Sequence, residues 1–186
     1  MNTLKQYLIT DPHFYSSDIK VFEEKLNHVL KNNRVDIACF RDKSSSNIKE
    51  LATLFIDTCR KHGIENIFIN QKLDLAQSLN YDGIHLTSNQ FNKIQEAKEA
   101  GLKTIISCHT FEEIKKAMKL EANMVTYSPI FFTPNKGEPK GIEKLFEATD
   151  KFAIDIIALG GIISDIQVKE IERTKAKGFA SIRYFI

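Results

Sequence analysis

Arg41 and Lys43 stand two residues apart directly after the apolar run Val35–Phe40. In extended chain such positions face the same way, so both cations can meet one phosphate. A charged surface segment following a strand would give the same pattern. A second anion signal is Gly160–Gly161, followed by Ile162–Asp165, where backbone N–H groups unshielded by side chains meet the start of a helix. Two glycines that only turn a corner would look alike. Thr133 and Lys136 sit in the one long irregular stretch, Pro129–Gly141, which holds three of the four prolines; loops of that length inside a folded unit tend to carry function.

Other polar residues end apolar runs: Asp11 and His13, Asn70, Ser107 with His109, Ser128, and Arg183. His85, inside Gly-Ile-His-Leu, reads as a packed, hydrogen-bonded residue rather than a base. A metal site from His13, His85 and His109 is conceivable from strand-end geometry, but no fixed ligand spacing supports it. Cys108 and His109 are adjacent, and neighbours in a strand face opposite ways, which argues against a nucleophile pair. Gly-x-Ser-x-Gly, phosphate-loop and dinucleotide-binding motifs are absent from the sequence.

The elements that must hold these residues alternate. Short runs rich in β-branched or aromatic residues occur at Tyr7–Thr10, Val35–Phe40, Asn66–Asn70, Gly83–Thr87, Thr104–Cys108, Met124–Ser128, Asp155–Gly160 and Phe179–Phe185. Segments with apolar spacing of three and four separate them, as at Phe22, Leu26, Val29 and Leu30, or Ile48, Leu51, Phe55 and Cys59, or Phe111, Ile114, Ala117 and Met118. This is the pattern of βαβ units around a parallel sheet, whose ligands gather at the carboxyl ends of the strands. Thr110-x-x-Glu113 and Ser164-x-x-Gln167 predict capping boxes, and Asn47-x-x-Glu50 a looser one. Seven helices can be placed; the third, within Lys72–Asn80, is short, and Ile186 alone follows the last run, too little for an eighth.

With 26 Lys+Arg against 24 Asp+Glu, the net charge of +2 gives no sign of a nucleic-acid or membrane-surface partner. Cys39, Cys59 and Cys108 form no Cys-x-x-Cys pair and fit a reducing compartment. The opening Met-Asn-Thr-Leu-Lys-Gln has no secretory pattern, and no apolar stretch approaches a membrane span, so a cytoplasmic location is expected.

Seven segments, in order along nearly the whole chain, resemble the thiamine phosphate synthase family, which includes the thiazole tautomerases. They are Tyr-Leu-Ile-Thr-Asp (7–11), Phe-Arg-Asp-Lys (40–43), Ile-Asn-Gln-Lys-Leu-Asp-Leu-Ala (69–76), Asp-Gly-Ile-His-Leu (82–86), Ser-Cys-His-Thr-Phe-Glu-Glu (107–113), Ser-Pro-Ile-Phe-Phe-Thr-Pro-Asn-Lys (128–136) and Ala-Leu-Gly-Gly-Ile (158–162). The resemblance implies a single α/β domain over residues 1–186, a (β/α)8 TIM barrel. The 186 residues are short of the roughly 250 typical of that fold. Eight units nevertheless fit at about 23 residues each, with a short third helix and no eighth.

In the synthases a pyrimidine diphosphate ionises, the nitrogen of a thiazole phosphate attacks, and pyrophosphate leaves. By resemblance, Arg41, Lys43, Asn70 and Lys136 match the positions that stabilise the leaving anion, Lys43 and Lys136 with a catalytic role. Thr133, Gly160 and Gly161 match the thiazole-phosphate end, and Ser107 a serine near the pyrimidine. The family's Mg²⁺ is held by two carboxylates, and here the matching residues are Gln71 and Gln90. Neutral amides are poor ligands for a hard dication, so Mg²⁺ is possible but its usual ligands are missing. Cys39 replaces an expected glutamine, and Arg183 replaces a serine, where a guanidinium could hold a phosphate or block it. The tautomerases' histidine is Pro129 here.

Three functions are therefore expected: a synthase of thiamine biosynthesis; a metal-independent isomerase like the tautomerases, with His109 as substitute acid/base; or a non-catalytic binding or regulatory protein for phosphorylated ligands. A small phosphorylated thiazole or pyrimidine is the expected partner, without nucleic acid or membrane. The alternation of Phe179, Ile182 and Phe185 predicts an apolar flank beside the last strand, to be covered by a second copy in a homodimer or by the first segment.

Overall fold

A computed structural model describes residues 3–186. Its eight strands, β1 (Lys5–Ile9), β2 (Ile37–Phe40), β3 (Ile67–Asn70), β4 (Gly83–Leu86), β5 (Lys103–Cys108), β6 (Met124–Tyr127), β7 (Asp155–Leu159) and β8 (Gly178–Ser181), are all parallel. They close in sequence order, with Tyr7 opposite Ala180 where β1 meets β8. This is the TIM barrel.

Strand alternation divides the apolar residues into two layers. Tyr7, Ile9, Ile37, Cys39, Phe68, Ile105, Ile157 and Ala180 fill the barrel's interior. Leu8, Ala38, Phe40, Ile67 and Ile69 point outward into the second buried layer, with the apolar faces of the helices. Those faces fall where the spacing places them: Phe22, Leu26, Val29 and Leu30 on α2 (Ile19–Asn32); Leu51, Phe55 and Cys59 on α3 (Ile48–Lys61). The short helix after β3 is α4 (Leu73–Ser78), followed by α5 (Ile94–Glu99), α6 (Phe111–Lys119), α7 (Gly141–Lys151) and α8 (Asp165–Ile171). One helix was not foreseen in the spacing, the single turn α1 (Pro12–Tyr15), which starts on an Asp11 cap with proline in its first turn.

Of the expected caps, only Thr110 forms the full box with Glu113. Asn47 makes no cap; its amide donates instead to Ser17 O. Gln167 turns back to accept from the Ile163 N–H at 2.8 Å, one residue short of the box geometry.

The last strand is shorter than the run Phe179–Phe185 predicts. Ile182 takes helical backbone angles, and Arg183–Phe185 forms a 3-10 turn. The Ser181 hydroxyl sets this break by donating to Ile162 O at 2.7 Å and accepting the Tyr184 N–H at 3.2 Å. The apolar flank expected beside the last strand is covered by residues near the start of the chain. Phe179 and Phe185 are 0% and 4% exposed, stacked on each other, and share a buried cluster with Val29 and Leu30. Asn33, at the end of α2, donates to Phe185 O at 3.2 Å. These contacts cover the seam from within the chain.

All three cysteines are free and buried. Burial pushes the Cys39 and Cys108 thiols up to about 12 and raises Cys59 as well. Since the thiolate is the reactive form, Ellman's reagent at pH 8 is expected to modify none of them in the native protein within minutes. All three are expected to react once guanidinium unfolds it. No helix among the described residues is long and apolar enough to cross a membrane.

Candidate active site

A cavity of about 420 Å³ opens at the carboxyl ends of the strands. Ten site candidates from the sequence line it: Arg41, Lys43, Asn70, Ser107, His109, Thr133, Lys136, Gly160, Gly161 and Arg183. His13 does not; its ring packs edge-on against Phe14, outside the cavity. The His13, His85 and His109 constellation is therefore not assembled.

One side of the cavity is cationic. Arg41 leaves the end of β2 with its N–H donated to the Thr10 hydroxyl at 2.9 Å, and its guanidinium pairs with Asp11. Asp11 has a second task, accepting the His13 N–H that starts α1. Lys43 is exposed, and its ammonium is pulled below its usual range, first by the Arg41 charge, then by partial burial and by Lys136. Lys43 thus feels the charges of both Arg41 and Lys136, and all three line the cavity. Asp42, between them, is buried and turned away onto Ser44 and Ser45.

Beside the cations, Asn70 donates from Nδ2 to His85 O at 2.9 Å, leaving its carbonyl oxygen for a ligand. Gln71 follows with a positive φ of 66°, and its N–H also binds His85 O. The Gln90 carboxamide oxygen is occupied by the N–H and hydroxyl of Thr87 at 3.1 and 3.2 Å, and Gln90 does not line the cavity. No group of three His, Cys, Asp or Glu side chains able to hold a metal ion exists among the described residues. This donor set does not fit Mg²⁺.

The floor is a network the sequence did not suggest. The Tyr7 hydroxyl lies 2.9 Å from His85 Nδ1, and His85 Nε2 lies 3.1 Å from Ser107 Oγ. His85 is a packed, hydrogen-bonded residue, and burial lowers its pKa to about 4, so the ring is neutral at pH 7. The available signal was its register: Tyr7, His85 and Ser107 all occupy inward-facing positions on β1, β4 and β5, where a purely apolar filling would suffice.

Across the cavity, His109 Nδ1 lies 3.1 Å from Ser128 O. The Ser128 hydroxyl lies 3.2 Å from the same nitrogen, so Nδ1 can donate to the carbonyl or accept from the hydroxyl, and Nε2 has no hydrogen-bond partner among the described residues. The long loop is stapled at both ends, Ile130 N–H to Leu159 O at 2.9 Å and Gly141 N–H to Ile130 O at 3.0 Å, and presents Thr133 and Lys136 between them. It lies directly on the double glycine: a β-carbon at Gly160 would come within 2.8 Å of Pro129 Cα, and one at Gly161 within 2.4 Å of Phe132 O. Both glycines have positive φ. Close approach thus requires them, whatever anion they also meet. The Ile163 N–H is taken by Gln167, so fewer amides are bare there than the sequence implies. Arg183 is exposed and makes no ion pair among the described residues.

Residues 6–185 match the family model described as thiamine monophosphate synthase. The chain belongs to this family. A putative thiamine-phosphate synthase 2 from Aquifex aeolicus is 31% identical over 192 residues, spanning the whole of both chains. A thiamine-phosphate synthase from Syntrophomonas wolfei is 29% identical over 183 residues, 95% of this chain and 85% of its own. Among solved structures, thiamine phosphate pyrophosphorylase from Pyrococcus furiosus superposes with a TM-score of 0.80 over 97% of this chain and 86% of its own, at 24% identity. An N-acetylmannosamine-6-phosphate 2-epimerase from Clostridium perfringens reaches 0.74 at 13% identity, over 97% and 87%. These two structural likenesses establish the fold; the family match puts the chain in thiamine biosynthesis.

Proposed function

We propose that the cavity binds a pyrimidine diphosphate and a thiazole phosphate and joins them with release of pyrophosphate. The observation that carries this reading is the gathering of four cations, Arg41, Lys43, Lys136 and Arg183, with the double glycine around one cavity. The bond from the pyrimidine's methylene carbon to the diphosphate oxygen breaks, and both electrons leave with pyrophosphate. The thiazole nitrogen then bonds to that carbon. The protein's work is to stabilise charge that develops on the leaving oxygen, for which fixed cations suffice in principle. Asn70 joins the cations at the leaving diphosphate and Ser107 orients the pyrimidine; Thr133, Gly160, Gly161 and Arg183 meet the thiazole phosphate. No step is assigned to Mg²⁺. The same cavity without turnover would make the chain a binding or regulatory protein.

The test is turnover of both substrates with Mg²⁺ and again with excess EDTA, beside calorimetry of each substrate. Turnover that survives EDTA fits the cation set described; binding of neither substrate overturns the reading. In the same titrations Arg183→Ala is expected to weaken the thiazole phosphate about tenfold, the size of one charge-assisted contact; tighter binding would mean that Arg183 blocks the site.

One observation favours the isomerase as a second reading: His109 lines the cavity with Nε2 unpartnered among the described residues, and its Nδ1 is anchored to Ser128 next to Pro129, where the tautomerases carry their histidine. If this reading holds, His109→Asn is expected to lower tautomerisation of a thiazole phosphate at least 100-fold, the range of general-base catalysis. Unchanged tautomerisation in a proton-exchange assay removes His109 from that role.

A further inference from the structure

Tyr7, His85 and Ser107 form the only side-chain chain of hydrogen bonds that runs from the sealed barrel interior to the cavity wall among the described residues. Tyr7 and His85 are 0% and 3% exposed, and Ser107 and His85 both line the cavity. A neutral imidazole carries one N–H and one lone pair, so the direction of one of its bonds fixes the other. The Tyr7 hydroxyl is sealed from water, and the strong acceptor within hydrogen-bond distance is His85 Nδ1, at 2.9 Å. Leaving a buried O–H unpaired is unfavourable. The neighbouring Cys39 thiol points its own proton toward Phe40 O at 3.6 Å, and its sulfur is a weak acceptor. Tyr7 therefore donates to Nδ1, the imidazole proton sits on Nε2, and that N–H donates to Ser107 Oγ. The Ser107 proton is left over, on a side chain facing the cavity.

We propose that the buried Tyr7–His85 pair is a positioning device that turns Ser107 into a hydrogen-bond donor, so that the site selects a ligand atom that accepts, such as a ring nitrogen of a heterocycle. The identity of the ligand rests on the proposed synthase reading; the direction of the bonds does not. Neutrality of His85, which burial enforces by holding its pKa down at about 4, keeps the relay in one state across the working pH range. An imidazolium would present N–H groups on both sides and force Tyr7 to give up its bond.

Two measurements test this. Long-range proton–nitrogen correlation spectra of the ¹⁵N-histidine protein, without any ligand, are expected to show His85 as the Nε2–H tautomer. An Nδ1–H tautomer overturns the inference, since Ser107 would then donate to His85 and offer only lone pairs. Calorimetry with the pyrimidine diphosphate is expected to show a roughly tenfold loss for Ser107→Ala and a similar loss for His85→Leu. His85→Gln, whose amide can donate at the Nε2 position, is expected to bind within about threefold of wild type. Should His85→Leu not fold, Tyr7→Phe replaces it, with about a threefold loss expected. Wild-type affinity in Tyr7→Phe and His85→Leu overturns the positioning role. If the wild type binds no pyrimidine diphosphate, the synthase reading falls, and the spectra alone decide the direction of the bonds.

Discussion

Lys136→Ala is expected to lower the joining of pyrimidine diphosphate and thiazole phosphate by about 100- to 1000-fold while leaving thermal stability unchanged within error. Removing one donor aimed at a developing anion typically has that kinetic effect. The residue is well suited to the test, because its side chain is exposed on the long loop and makes no ion pair among the described residues. Folding loses no buried contact with it. Lys43→Ala should behave similarly, and in Lys136→Ala the Lys43 ammonium is expected to rise part of the way toward its usual range, since Lys136 is one of the charges that depress it. Arg41→Ala would be a poorer probe, as it also leaves Asp11 without its partner. A Lys136→Ala protein that turns over within fivefold of wild type would place the leaving group elsewhere.

The second large effect is expected on stability. Gly161→Ala forces a β-carbon to within 2.4 Å of Phe132 O and 2.8 Å of Phe131 O, at a φ of +70°. The left-handed backbone alone costs about 1–2 kcal/mol for an L side chain, and overpacking against backbone adds about 1–3 kcal/mol. A loss of about 2–4 kcal/mol is expected in urea unfolding. Gly101→Ala is the control, since its φ is +75° but nothing lies within 4 Å of the added carbon. It should show the backbone effect alone. Equal losses in the two variants would mean that the long loop yields freely and is not braced against the double glycine.

The barrel was legible because the signal repeats. Eight apolar runs separated by helical spacing agree with one another, so an error at one, such as the run past Ser181, does not disturb the topology. That error has a definite cause: Phe179, Ile182 and Phe185 keep an apolar rhythm through a 3-10 turn, and only the two hydrogen bonds of the Ser181 hydroxyl reveal the break. Strand ends are also legible, which is why Arg41, Asn70, His109 and Arg183 share one cavity with the loop residues. What the sequence hides is pairing across the barrel. Tyr7 and His85 lie 78 positions apart, and Asp11 and Arg41 30 apart, joined by register rather than by proximity in the chain. Gln167 is a similar case, its amide diverted to Ile163 by the exact path of a loop.

The Asp11 carboxylate changes how the cationic side must behave toward salt and ligand. Of the four cations that line the cavity, Arg41 is already matched by a carboxylate that also starts a helical turn. On the proposed reading, arrival of a diphosphate at Arg41 would be an exchange of one anion for another rather than a simple addition. Its affinity should fall less steeply with ionic strength than three free charges would give, and its departure is eased by a competitor that never leaves the protein. For the proposed joining reaction, whose product is itself an anion, Asp11 would serve as an internal displacer.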